Sequence, residues 1–202
     1  MNSIIDLSFK INGIKIPIDH SYLLFSSLSE ICKDIHGNTE IGIHKINGEK
    51  NGEYIFLNNF SKLTIRCPER LALNITSKIS NKMIWIRKFP IKIRSIEQPI
   101  PLLPCKKLVS DIVTLRKKED PQRFIDQVSN IFEEKMHLSQ NARVAIPNDE
   151  DGIYRRFKVK NLFVIGFPLV AYDLSEEDSL KLQSIGVGGR RRFGCGLFLP
   201  QK

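Results

Sequence analysis

The sequence predicts an α+β protein made of two tandem ferredoxin-like domains, each with the RRM-like order β-α-β-β-α-β. Three observations lead there. Stretches of strand period and helix period follow one another in that order twice along the chain. A stiff break, EQPIPLLPCKK, with three prolines in six residues, separates the two series. The 202 residues, 42% of them apolar, are enough for one large domain or two small ones.

In the first series, SIIDLSFKING reads as a strand ending at Asn12-Gly13. DHSYLLFSSLSEICKDI places Leu24, Leu28, Ile31 and Ile35 at helical spacing, with Asp19 as the predicted N-cap and Tyr22 and Leu23 just inside. GEYIFLN and KLTIRC are predicted to pair as a hairpin turned by NFS. PERLALNITSKI opens a second helix at Pro68, a residue suited to a first turn. KMIWIRKFPIKIRSI adds one or two strands, and Trp85 is expected to pack between helix and sheet. The first domain is assigned to residues 1–97 and the second to 107–202, joined near residues 98–106.

The second series repeats the order without any obvious sequence repeat. LVSDIVTLR is a strand, and DPQRFIDQVSNIFEEKM is a helix with Asp120 as cap and Pro121 at its first position. YRRFKVKNLFVIGFPLVAYDL supplies two strands around Asn161. SEEDSLKLQSIG is a helix opened by Ser175 and Asp178 at capping-box spacing, and GCGLFLP closes as a strand.

The formal net charge of +9 points to a polyanionic partner, nucleic acid ahead of a membrane surface. Cys32, Cys67, Cys105 and Cys195 lie far apart with no CxxC pair, so neither a zinc site nor any other metal is expected. Charge within MNSIIDLSFK argues against a signal peptide, and no apolar run approaches the roughly 18 residues that span a bilayer. The expectation is a soluble, cytoplasmic protein with free thiols, no cofactor and no membrane partner.

The most unusual stretch is GVGGRRRFGCG, with five glycines and three consecutive arginines. Glycine permits positive φ and close backbone approach, and successive amides can form a concavity for an anion. Arginine adds a planar fork matched to phosphate oxygens. The stretch therefore reads as a phosphate-binding loop, with Gly186, Gly188, Gly189, Gly194, Gly196, Arg190, Arg191 and Arg192 as its members. In an extended segment two of the three arginines would face the ligand and the third would face acidic residues of its own domain. Phe193 is either a base-stacking residue or an anchor to the core. Arg156, Lys158 and Lys160 share one strand face, which reads either as a basic stripe for nucleic-acid backbone phosphates or as a solvated edge strand guarded by lysines. Lys88, Lys92 and Arg94 form a similar row in the first domain, whereas the lysine and arginine runs at 105–107 and 116–118 read as solvated charge.

The block LSEEDSLKLQSIGVGGRRRFGCGLFLP resembles the C-terminal signature of the Cas-six family of CRISPR repeat-RNA endoribonucleases. IPIDHSYLLFSSLSEI, IGIHKINGE and KLTIRCPE resemble the N-terminal blocks of its small myxococcal-type branch, so the likeness extends over nearly the whole chain. The resemblance implies two ferredoxin-like domains and metal-independent cutting of a CRISPR repeat transcript into mature guide RNAs. The implied partners are precursor and mature guide RNA, together with other subunits of a CRISPR effector complex.

Cutting RNA without metal uses the 2′-hydroxyl as nucleophile, which calls for a general base, an acid for the leaving 5′ oxygen, and cations for the developing charge. The chain has four histidines, His20, His36, His44 and His137. In family members a histidine after the first helix is the base, and the resemblance carries that role to His44, with Lys45 or Lys50 beside it to steady the phosphate. His20, at the start of the first helix, is the second candidate. His36 and His137 end helices, where the dipole alone favours them, and are set aside. The alternative function is a catalytically inactive subunit that holds the repeat-derived end of the guide in an effector or transposition complex.

Overall fold

Side-chain alternation builds the first sheet. In the computed structural model, which describes residues 3–115, 120–147 and 153–201, β1 (Ile4–Asn12) buries Leu7, Phe9 and Ile11 on one face. The chain divides into two compact units. One runs to Pro101 and takes in Arg192–Gly194; the other spans Leu102–Arg191 and resumes at Cys195. The cationic run at 116–118 lies outside the described residues.

In the first unit β1 is followed by β2 (Lys15–Pro17), α1 (Ser21–Ile31), β3 (Gly42–Ile43), β4 (Glu49–Asn51), β5 (Tyr54–Phe56), β6 (Lys62–Pro68), α2 (Glu69–Ile79), β7 (Met83–Ile86), β8 (Phe89–Ile96) and β9 (Ile100–Pro101). The main sheet has the order β3-β6-β1-β8-β7, with β9 also on β1. This is the ferredoxin-like order with β7 appended at one edge. The expected hairpin of the GEYIFLN and KLTIRC segments does not form. Instead β5 pairs with β2 and β4 in a small separate sheet, and β6 pairs with β1 and β3. The reason is burial: antiparallel β1–β6 pairing sets Leu7 opposite Ile65 and Phe9 opposite Leu63, and all four are fully buried.

Two further expectations are corrected. The residue at the cap position of α1 is His20, not Asp19, and no side chain caps that end. Trp85 does not lie between helix and sheet but is 57% exposed, because Ile84 and Ile86 take the buried face of β7 and alternation turns Trp85 outward.

The second unit contains β10 (Leu108–Val113), α3 (Pro121–Asn130), β11 (Arg143–Ala145), β12 (Arg155–Val159), β13 (Leu162–Tyr172), α4 (Glu176–Ile185) and β14 (Leu199–Pro200). Its sheet order, β11-β13-β10-β14, is ferredoxin-like again, and β12 folds onto the first half of β13 as a hairpin. The core gathers Phe124, Phe167, Leu169, Leu182 and Phe198, with the Phe124 and Phe167 rings 4.5 Å apart.

Both helix starts in this unit are chemically specified. The Asp120 carboxylate accepts from the amides of Gln122 (3.1 Å) and Arg123 (3.2 Å), with Pro121 behind it. At α4 the Ser175 hydroxyl accepts from the Asp178 amide (3.1 Å) and the Asp178 carboxylate accepts from the Ser175 amide (3.3 Å). Asp178 also accepts from the Ser139 amide (3.0 Å) and hydroxyl (2.6 Å), so one buried carboxylate ties α4 to the segment after α3. We expect Asp178→Ala to destabilise the protein by about 2–4 kcal/mol, a lost cap plus orphaned donors. Urea unfolding checks this; an unchanged midpoint would show the network to be dispensable.

Candidate active site and RNA-binding loop

The sequence places three histidines within the reach of α1, and their environments differ sharply. His20 is 1% exposed. Its Nδ1 lies 3.0 Å from the Pro17 carbonyl and 3.1 Å from that of Ile18, and its Nε2 lies 3.0 Å from the Ile46 amide. A carbonyl only accepts and an amide N–H only donates, so Nδ1 carries the proton and Nε2 accepts. Both ring nitrogens are occupied by backbone. Burial pushes the His20 imidazole down to about 4, helped by the charge of Lys45, while its bonds to the two carbonyls oppose that. In this arrangement His20 braces the start of α1 against the segment after β3.

His44 is 9% exposed, and its Nε2 lies 3.7 Å from Oδ1 of Asp6. Arg66, 1% exposed, donates to both oxygens of Asp6, Nε to Oδ1 and Nη2 to Oδ2, each at 2.8 Å. Burial alone would raise the Asp6 carboxyl, but hydrogen bonds and charge from Arg66 and His44 outweigh it and hold the group well below the usual carboxylate range. His44 is thus a member of a covered ion network on the first sheet. Next to it, Lys45 is half-buried and stands against the terminal loop: a Cβ built on Gly194 would lie 3.4 Å from Lys45 Cγ and 3.2 Å from the Ile43 carbonyl oxygen.

His36, set aside in the sequence, is the exposed histidine of this region. It follows a short 3-10 turn at Lys33–Ile35 and stacks on Phe25 of α1, with ring centroids 6.2 Å apart and 23° between planes. Phe25 also meets Phe193 edge-on at 5.0 Å, and the Arg192 guanidinium carbon lies 5.0 Å from the Phe25 centroid and 5.2 Å from that of Phe193. Tyr22, one helical turn before Phe25, is edge-on to Phe193 at 5.8 Å. Tyr22, His36 and Arg192 thus surround one aromatic pair, with Lys45 beside the following Gly194, and all belong to the first unit. Spacing alone did not disclose this, because the loop is over 150 residues from α1 in sequence. The available signal was the Tyr22/Phe25 pair at i, i+3 on a helix followed by His36-Gly37.

The glycine loop departs from the amide cradle expected of it. The amides of Val187, Gly189, Cys195 and Gly196 donate to the carbonyls of Gly196, Thr114, Arg190 and Ile112, at 2.8–3.3 Å. Gly186 and Gly196 both have positive φ, +69° and +65°, and a side chain on either would collide with loop backbone. Gly188, also at positive φ, would collide with the Thr114 carbonyl, whereas Gly189 has open space. The close-packed glycines fold the loop onto β10 and onto itself. Arg191–Phe193 form a 3-10 turn rather than an extended segment. The Arg191 guanidinium donates to the Ile185 carbonyl at the end of α4. Arg190 donates to the Thr114 hydroxyl at 3.4 Å. Phe193, 6% exposed, is an anchor.

On the β12–β13 hairpin, Arg156 and Lys158 are exposed on one face, their charges 5.6 and 5.8 Å from the ring centre of Phe163. Lys160 lies beyond the strand in the turn, at φ 53°. Arg155 faces the other way, 3.8 Å from Asp111.

The family model Cas6 Crispr matches residues 5–202. The chain belongs to the Cas6 family. It is 30% identical over 197 residues to the CRISPR-associated endonuclease Cas6 of Myxococcus xanthus (strain DK1622), which covers 97% of this chain and 81% of that protein. Two solved structures share the fold of this Cas6-family chain. A Cas6-related protein from Pyrococcus furiosus matches with a TM-score of 0.69 at 15% identity, covering 97% of this chain and 98% of that one. A RAMP protein that binds different RNA substrates matches with a TM-score of 0.72 at 14% identity, covering 98% and 100%.

The depressed His20 group makes folding pH-dependent with a defined sign. Its folded value lies below the ordinary 6.5, so its contribution is full above that pH and is lost as pH falls toward about 4. We expect a loss on the order of 3 kcal/mol across that window from His20 alone. Asp6, also depressed, adds a second loss at lower pH, below its ordinary 3.8. Urea midpoints at pH 7, 5.5 and 4 test this: the His20→Asn variant should show a flattened upper window, and unchanged pH dependence would contradict the assignment.

Proposed function

We propose that this chain is a metal-independent endoribonuclease that cuts CRISPR repeat precursor RNA, giving mature guide RNA with a 2′,3′-cyclic phosphate end and a 5′-hydroxyl end. The Myxococcus xanthus relative is a CRISPR-associated endonuclease, and family membership extends cutting to this chain. In the reaction the 2′ oxygen forms a bond to the adjacent phosphorus as the P–O5′ bond breaks. One proton leaves the 2′-hydroxyl and another reaches the 5′ oxygen.

The observation that carries the site is the exposed His36 ring stacked on Phe25, the same ring against which Arg192 lies. Histidine changes charge between about pH 5 and 8 and so can take the 2′ proton near neutrality. Arg192 and Lys45 supply cations for the developing charge on phosphorus, and the Tyr22 hydroxyl is a further donor at the same face. His20 and His44 act through others. His20 accepts the Ile46 amide and so holds the segment that carries Lys45. His44 belongs to the Asp6–Arg66 network. The remaining loop residues and the Arg156–Lys158 face, with Lys160 at its turn, hold the RNA backbone.

The test is cleavage of the repeat RNA of the protein's own locus in excess EDTA. His36→Ala should bind that RNA as the wild type does and cut it about 10²–10⁴-fold more slowly. Arg192→Ala should slow cutting about 10²–10³-fold. If His36→Ala cuts normally and a folded His44→Ala does not, the base is His44. A wild type that binds and never cuts is a guide-holding subunit.

A further inference from the structure

The β7–β8 hairpin carries an aromatic and cationic face that the cleavage site does not use. β7 is the edge strand appended to the ferredoxin-like order. Trp85 stands directly opposite Pro90, and Met83 opposite Lys92, so these four side chains share one face of the hairpin. Trp85 is 57% exposed, Met83 49% and neighbouring Ile14 78%. Beside them lies a hollow of about 410 Å³ lined by Ile14, Lys15, Met83, Phe89, Pro90 and Lys92, all within the first unit. Its wall is largely apolar, and one of its two cations is held on aromatics: the Lys15 ammonium sits 4.2 Å from the centre of the Tyr54 ring and 5.8 Å from that of Phe89, whereas Lys92 donates to the Asn81 carbonyl at 2.6 Å.

The charge along the hairpin's own stretch of sequence is one-sided. From Lys78 to Arg94 the chain carries six cations, Lys78, Lys82, Arg87, Lys88, Lys92 and Arg94, and no carboxylate. The two residues of the hairpin turn are Arg87 and Lys88, both exposed, and Arg87 takes a positive φ of 57° where glycine or asparagine is the usual choice. Exposed aromatic and apolar surface on a hairpin whose own charged residues are all cations suits unpaired bases stacked on rings with phosphates on lysine and arginine, and Glu49, on the Lys15–Phe56 face of the small sheet, is the nearby carboxylate to set against it. A duplex offers phosphates but no free base faces, and an acidic protein segment offers charge without rings to stack.

We propose that the β7–β8 face is a second RNA-binding surface, taking a single-stranded segment with bases against Trp85 and the Met83–Phe89 hollow and phosphates on Arg87, Lys88 and Lys15. It rests on the preceding section for the source of the RNA, not for its chemistry.

Trp85 is the chain's single tryptophan, so its emission reports this face alone. Titration with a ten-nucleotide oligouridylate should quench that emission saturably, and should still do so in His36→Ala. Arg87→Ala/Lys88→Ala should weaken the quenching titration and lower the salt slope of its log affinity by about 1.4. Trp85→Ala removes an exposed side chain, and should weaken the oligomer's fluorescence-anisotropy titration about five- to hundred-fold. Binding seen by anisotropy with unchanged tryptophan emission overturns the proposal. So does equal quenching by polyglutamate, which assigns the face to an acidic protein partner. Failure to cut repeat RNA leaves the quenching readout intact, so the two readings fail separately.

Discussion

The contact on which the candidate site depends is the edge-on packing of Phe193 against Phe25. It is small in area and large in consequence. It brings Arg192 over the helix ring that His36 stacks upon, and it makes Arg192–Gly194 part of the first unit although their sequence neighbours on both sides belong to the second. Gly194, at φ +83°, lets the backbone pass close to Ile43 and Lys45 without a side chain in the way. Aromatic pairs of this geometry contribute roughly 0.5–1.5 kcal/mol beyond their buried area. That suffices to hold a three-residue turn whose flanks are already fixed by hydrogen bonds within the loop.

Around this contact the polar groups divide by burial. His20 is closed on both nitrogens by backbone, and its low proton affinity follows from that enclosure. Asp6, Arg66 and His44 form a network in which two charge-assisted bonds compensate for desolvation. Neither arrangement leaves a group standing in solvent at the loop. His36 does stand there, with Tyr22, Lys45 and Arg192 half-buried beside it, and these are the kinds of side chain that a phosphate undergoing attack needs nearby.

The parts of the fold that were legible in the sequence are those specified by residues close together. Asp120-Pro121 and Ser175–Asp178 cap their helices as spacing predicts, because a cap is chemistry within four residues. The outward position of Trp85 was also legible, from the Ile84–Ile86 alternation on the same strand. The pairing of β6 with β1 rather than β5 was not legible, since it is decided by apolar residues some sixty positions apart in register. The relative exposure of the histidines was not legible for a related reason. Distance from a sequence block selected His44, whereas which ring meets solvent depends on a loop from the other end of the chain.

The distribution of cations shows how the net charge of +9 is put to use. Lys62 and Arg66 face the carboxylates of Glu97 and Asp6, and a cation so paired presents little field to an approaching polyanion. Arg156 and Lys158 on Phe163, Arg192 on Phe25 and Phe193, and Lys15 on Tyr54 are held differently. An aromatic face orients a cation without cancelling its charge, and it limits the rotamers that must be frozen when a phosphate arrives. A carboxylate partner would have to be displaced first, at the cost of an ion pair. Cations on rings are therefore pre-oriented for a phosphate, and among the described residues they occur at the loop, at the β12–β13 hairpin and beside the β7–β8 hollow.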